Sequence, residues 1–125
     1  MDDAHFVYIK IPEPLMPLER GARYGDPLDA SLAEADLGEI TGGGAQLGDT
    51  RADGTRPIEF CGIDVDLIEL DSGLELLRKR LVELGAPPGT ELHYTRGETT
   101  LLDQLRATGW VVDQPRADLH PAFGT

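Results

Sequence analysis

The sequence predicts an α+β fold, an antiparallel sheet of four strands with two helices on one face. Three observations lead there. The segments Phe6 to Ile11 and Pro57 to Leu70 are rich in β-branched and aromatic residues and alternate in polarity, as strands do. The segment from Ser72 to Leu84 repeats leucine at helical spacing between strong cap signals. The predicted elements follow one another as β-α-β-β-α-β along the 125 residues.

In the first strand, FVYIKI, alternation places Val7, Ile9 and Ile11 on one face and Phe6, Tyr8 and Lys10 on the other. The prolines of PEPLMP (Pro12 to Pro17) make the next segment an extended connector. A first helix is expected from Asp26 to about Gly38, with Asp26 as N-cap, Pro27 in the first helical position, and Leu28 and Leu32 one turn apart. The second strand, Gly38 to Leu47, contains Gly42, Gly43 and Gly44, which mark a bulge or a close backbone approach. The polar stretch from Gly48 to Arg56 holds the turn pair Asp53-Gly54 and reads as a long hairpin loop.

In the third strand Ile58 and Phe60 share one parity, and Cys61, Ile63, Val65 and Leu67 the other. A bulge at Cys61-Gly62 would reconcile them. The second helix opens at Asp71-Ser72, with Ser72 and Glu75 as a capping box. Leu74, Leu77, Leu81 and Leu84 form its apolar stripe, and Gly85 ends it ahead of Pro87-Pro88. A fourth strand covers Thr90 to Thr95. Residues Thr99 to Thr108 are expected to form a third helix, with Leu101, Leu102 and Leu105 inward and Gly109 as stop. Trp110 to Val112 adds a short edge strand. The domain is expected to span residues 1–112, with 113–125 as a loosely held tail.

The β-α-β-β-α-β order is that of a ferredoxin-like sheet, with the first and third strands central and the second and fourth at the edges. Its helix-covered core would contain Val7, Ile9, Ile11, Ile63, Val65, Leu74, Leu77, Leu81 and Leu84. Its open face would show Phe6, Tyr8, Lys10, Glu39, Thr41, Asp64, Asp66, Glu91 and His93.

Charge narrows the partners. The net charge is −12. Between Asp26 and Asp71 twelve acids face only Arg51 and Arg56. Such a chain repels nucleic-acid phosphates and anionic membranes and attracts basic proteins. The acidic start MDDAHF and the lack of a long apolar run argue for a cytoplasmic protein with no membrane span. Cys61 is the only cysteine, so neither an internal disulfide nor a multi-cysteine zinc site forms. It reads as a small buried apolar residue with no activating base.

Candidate chemistry is sparse. Thr41-Gly42-Gly43-Gly44 lacks the Lys-Ser/Thr that a phosphate loop needs. Asp64, Asp66, Glu39 and His93 are types that bind hard metal ions, yet alternating polar residues on a half-exposed strand look the same without metal. His5 and His93 have opposite facing, His120 lies in the tail, and Ser31 and Ser72 lack a nucleophile-elbow setting. No catalytic residue, cofactor or metal ligand is assigned.

Four runs carry a resemblance: LGEITGGG (37–44), IEFCGIDV (58–65), GLELL (73–77) and LGAPPGT (84–90). They resemble small, poorly characterised bacterial ferredoxin-like proteins, some of which look like immunity proteins that neutralise toxins. The resemblance spans residues 37–94, and its motifs are turn and cap chemistry. It implies a fold and a non-enzymatic inhibitor or immunity role toward a basic partner such as a nuclease toxin. The expected partner-binding residues are Tyr8, Glu39, Phe60, Asp64, Asp66, Glu91 and His93. Two other readings compete with this one: a small metal-assisted enzyme using Asp64, Asp66 and His93, and a homodimer enclosing a small ligand between open sheet faces.

Overall fold

A computed structural model describes residues 5–13, 15, 17–47, 52 and 58–115. The fold is α+β, with six antiparallel strands: β1 (His5–Ile11), β2 (Gly38–Leu47), β3 (Ile58–Leu67), β4 (Glu91–Arg96), β5 (Thr99–Arg106) and β6 (Gly109–Pro115). Their order across the sheet is β2-β3-β1-β4-β5-β6. The helices are α1 (Pro17–Arg20), α2 (Asp26–Ala35) and α3 (Leu70–Glu83), with a π-helical turn at Gly21–Gly25 joining α1 to α2.

Of the two strands expected at the centre, β1 is central, and β3 is interior but next to the edge strand β2. β1 pairs with β3 in unbroken register, from His5 opposite Leu67 to Ile11 opposite Cys61. On its other side β1 pairs with β4, from Val7 opposite Tyr94 to Lys10 opposite Glu91. One side of the sheet is a continuous apolar layer in which Val7, Ile9, Ile11, Val65, Leu67 and Leu92 are fully buried. Leu28 and Leu32 of α2, and Leu74, Leu77 and Leu81 of α3, pack on that layer, while Leu84 is only partly buried against it. The helical 3–4 spacing of the leucines matches the twofold alternation of the strands at this one interface.

Several local expectations are corrected. The predicted third helix at 99–108 is strand β5, joined to β6 in a hairpin, so the sheet has six strands and β4 is interior rather than an edge. Glycines with positive φ, Gly97 and Gly109, sit at the two tight turns that bracket β5. Strand geometry places Asp103 and Leu105 toward the helices, and both are buried. Leu102 lies opposite His93, on the other face. β6 runs to Pro115, past the expected boundary at residue 112. The 48–56 loop, apart from Ala52, and residues 116–125 lie outside the described residues.

Helical structure begins at Pro17, not Asp26, and Asp26 is no N-cap. Its N–H bonds to the carbonyl of Gly21, five residues back. The widened turn directly precedes Pro27, whose ring would collide with the carbonyl four residues back in ordinary α geometry. The Ser72/Glu75 capping box is absent. α3 starts at Leu70, two residues early, and Ser72 Oγ donates instead to Glu69 Oε1 at 2.9 Å. The bulge expected at Cys61-Gly62 lies elsewhere. β2 and β3 slip between Ile40 and Gly42, and again where Gln46 and Leu47 face Phe60 and Ile58.

The C-terminal stop of α3 is as read. Gly85 has φ +86, its N–H bonds to Val82 O at 3.0 Å, and Ala86 N–H bonds to Leu81 O at 2.9 Å, the paired bonds of a Schellman end. Leu77→Ala should destabilise the protein by about 2–5 kcal/mol, because it opens a cavity at a fully buried position. Urea unfolding checks this; an unchanged midpoint would remove Leu77 from the core.

Candidate functional site

The face of the sheet away from the helices carries the residues singled out in the sequence, and the strand register sets them in rows. One row crosses all six strands: Gly42, Asp64, Tyr8, His93, Leu102 and Gln114. The adjacent row reads Gly44, Gly62, Lys10, Glu91, Gln104 and Val111. On the other flank, Glu39 faces Asp66, which faces Phe6. Because side chains alternate, these residues share one face, and Phe60 joins them, with Lys10 Nζ 4.6 Å from its ring centre.

The middle of this face is closed. Tyr8 and His93 are 6% and 5% exposed, with rings edge-on at a centroid separation of 5.9 Å. Tyr8 lies diagonally across Gly62, and a β-carbon there would collide with its ring. Glycine at position 62 is therefore what admits the tyrosine, an aromatic ring filling the gap left by a glycine on the neighbouring strand. Burial, then the Asp64 carboxylate, push the Tyr8 hydroxyl up to about 12, so it keeps its proton at neutral pH.

Beside it, His93 Nε2 lies 2.8 Å from Glu91 Oε1, and Gln104 Nε2 donates to Glu91 Oε2 at 3.0 Å. The hydrogen bond with His93 holds the Glu91 carboxyl below its ordinary value of 4.5, against the opposing effect of burial. The charge of Lys10 and the hydrogen bond from Gln104 act in the same direction. Gln104 went unrecognised in the sequence because it lay in the misassigned helix; the hairpin signal at Gly97 and Gly109 was the clue to its strand setting.

The β2–β3 end of the face is acidic. Glu39 and Asp66 are directly opposite each other, and Asp64 lies two residues from Asp66 on the same face. Like charges at such positions repel. Glu39 is exposed, while Asp64 and Asp66 are half-buried. Glu39 and Asp66 share the lining of a shallow depression of about 230 Å³ with Gly38, Leu67 and Ile68. Ile68 and Phe6 remain 56% and 38% exposed. All seven expected contact residues thus lie on one surface, with His93, Tyr8 and Glu91 at its closed centre and Glu39, Asp64 and Asp66 at its acidic end. Among the described residues no three His, Cys, Asp or Glu side chains converge as a metal site, so Asp64, Asp66 and His93 do not form the trio a metal-assisted reading needs. Burial raises the Cys61 thiol above its ordinary value, consistent with a buried apolar role rather than a nucleophile.

A second polar cluster, on the helix side, was not anticipated. Tyr94 Oη lies 2.6 Å from one oxygen of Asp103 and 2.6 Å from one of Asp113, and Asp113 N–H also donates to Asp103. Arg78 of α3 bonds the other Asp103 oxygen at 2.7 Å, although Asp103 is fully buried. Trp110 Nε1 donates to the carbonyl of the same arginine. Every partner here is a structural neighbour, so the cluster fastens the β5–β6 hairpin to α3.

No helix among the described residues is long and apolar enough to cross a membrane. Comparison with known proteins finds no matching family model, curated protein or solved structure.

Glu91→Gln should lower stability at pH 7 by about 1.5–3 kcal/mol, the range for a hydrogen bond to a charged group. The folded carboxyl is depressed, so this contribution is complete above the unfolded value near 4.5 and fades as pH falls through the lower folded value. Urea titrations at several pH values should therefore show the wild-type and variant curves converging in acid. A gap that widened in acid would contradict the Glu91–His93 assignment.

Proposed function

We propose that this chain is a non-enzymatic binding module that engages a basic protein through the face of the sheet opposite the helices, in the manner of an inhibitor or immunity protein. Its first four strands and the two helices α2 and α3 are read as a ferredoxin-like unit, extended at one side by the β5–β6 hairpin. The strand order β2-β3-β1-β4 within the larger sheet supports that reading.

The observation that carries the function is the opposition of Glu39 and Asp66 across β2 and β3, with Asp64 on the same face. In the free protein this arrangement costs stability. A cation from a partner converts the repulsion into attraction, so the energy favours a basic occupant. Exposed Ile68 and Phe6 offer apolar contact beside the carboxylates, and the half-buried Phe60 ring supplies an aromatic anchor. The net charge of −12 adds long-range steering toward the same class of partner.

The test uses affinity capture from the native host and stopped-flow association with the captured protein. The double variant Asp64→Asn/Asp66→Asn should slow association about tenfold and flatten its salt dependence, since such charges act mainly on the on-rate. Glu34→Gln/Glu75→Gln removes the same charge from exposed positions on α2 and α3 and should change little. Capture of an acidic partner, or an association rate equal in the two double variants, would overturn the proposal.

A further inference from the structure

The two edges of the sheet are built differently. Both edge ladders contain register shifts, two between β2 and β3 and one between β5 and β6, and the β6 edge adds a positive φ at Asp113 and a proline, Pro115. A proline on an edge is an ordinary device for stopping another strand from pairing. The β2 edge is ten residues long and carries three consecutive glycines. Facing it is the helical segment around the π turn. Asp29 Oδ1 accepts the Ile40 N–H at 2.9 Å, and the Arg20 guanidinium donates to the Gly44 carbonyl at 3.2 Å. Between these two contacts lies a cleft of about 380 Å³, walled by Arg20, Gly25, Asp26 and Asp29 on one side and by Thr41 and Gly42 on the other.

We propose that this cleft is a peptide groove, in which an extended lysine- or arginine-bearing segment of a partner protein adds to β2 as a seventh strand. The proposal rests on the acidic-binder reading above and assigns it a second, sequence-local contact. An edge strand offers main-chain donors and acceptors, and an added strand takes its affinity from them. The glycines add no side chains of their own to that backbone, which the Arg20 guanidinium overlies at Gly43 and Gly44. A β-carbon at position 43 would come within 2.7 Å of the Gly62 carbonyl oxygen and 3.1 Å of Arg20 Nε, so the position admits no side chain without a shift. An incoming chain meets no side chain belonging to Gly42, Gly43 or Gly44, and it displaces the Arg20 guanidinium from the Gly44 carbonyl.

The groove walls select the charge of the occupant. Asp26 and Asp29 are exposed, whereas Arg20 is half-buried and engaged with Gly44. The Asp29 carboxylate already occupies the place of a strand carbonyl at the Ile40 N–H. An incoming carbonyl takes over that N–H and releases Asp29 to pair with a basic side chain. A second copy of this chain is a poor occupant. Symmetric pairing of two β2 edges would bring both copies of Asp26 and Asp29, and two net charges of −12, together.

The experiment is an amide-resolved NMR titration of the isotope-labelled full chain with the blocked peptide Thr-Lys-Val-Lys-Thr. The expected result is a set of shifts centred on Ile40, Thr41, Gly42, Gly43 and Gly44. The peptide Thr-Glu-Val-Glu-Thr should bind at least about tenfold more weakly, and N-methylation of the central valine should abolish the shifts. Asp26→Asn/Asp29→Asn should weaken binding about tenfold while the Ile40 amide stays protected in the free protein, because asparagine still accepts that hydrogen bond. Shifts confined to Tyr8, Phe60 and His93 would overturn the groove and leave the acidic-binder reading standing. Absence of shifts at millimolar peptide, or equal binding of the acidic peptide, would overturn the groove, and the capture experiment decides the broader reading separately. Concentration-dependent shifts on β2 without peptide, with a doubled mass in sedimentation, would make a second copy the occupant and also overturn it.

Discussion

The structure depends on β1 being paired along both edges, buried on its helix-facing side and covered at Tyr8 on the other. Its two edges are paired, with β3 along its whole length and with β4 from Val7 to Lys10. One face presents Val7, Ile9 and Ile11 to the helices, and all three are fully buried. The other face presents Tyr8, which is nearly as inaccessible. A strand in that position satisfies its backbone only if both neighbours hold register, since a one-residue slip would exchange the two faces. The leucines of α3 and of α2 then have one surface on which to pack. Gly62 has one role, to admit the ring of Tyr8.

The hairpin beyond β4 is held by a different kind of contact. Leu105 and Trp110 supply apolar packing at the sheet's far side, but orientation comes from polar atoms. Asp103 is inaccessible to water and is met by Arg78 and Tyr94 and by the N–H of Asp113. Burying such a carboxylate is costly unless its partners are in place, and removing one of them would leave an uncompensated buried charge. The network links α3 to β4, β5 and β6. Burial and the adjacent Asp103 and Asp113 raise the Tyr94 hydroxyl above its ordinary value, so Tyr94 acts only as a protonated link.

The proposed contacts are asymmetric across this frame. The hairpin side is clamped, and its edge ends in Pro115. The β2–β3 side combines facing carboxylates, a shallow depression beside Ile68, and a glycine-lined cleft against the π turn. Both proposed contacts lie on that side. The π turn follows from Pro27 and carries Tyr24 inward, where its hydroxyl hydrogen-bonds Glu13. The same turn, through Gly21 and Gly25, forms part of the helical wall of the cleft.

Much of this was legible in the residues themselves. Alternation in β1 and β3, the leucine stripe of α3, the Gly85 stop and the shared facing of Tyr8, Asp64 and Asp66 are local periodicities, and local periodicity sets which side of an element is buried. The meaning of the glycine run was legible as well, since both a bulge and a close approach occur there. The segment TTLLDQLR was not. Its leucines fit a helix as well as a strand, and the choice was made by pairing with β4 and β6 and by a carboxylate that Arg78, Tyr94 and the Asp113 N–H make tolerable. The interior place of β4, the closure of the open face around His93 and Tyr8, and the cleft between Asp29 and Gly42 belong to the same class. Each joins residues far apart in the chain, and such contacts leave no mark in the spacing of either partner.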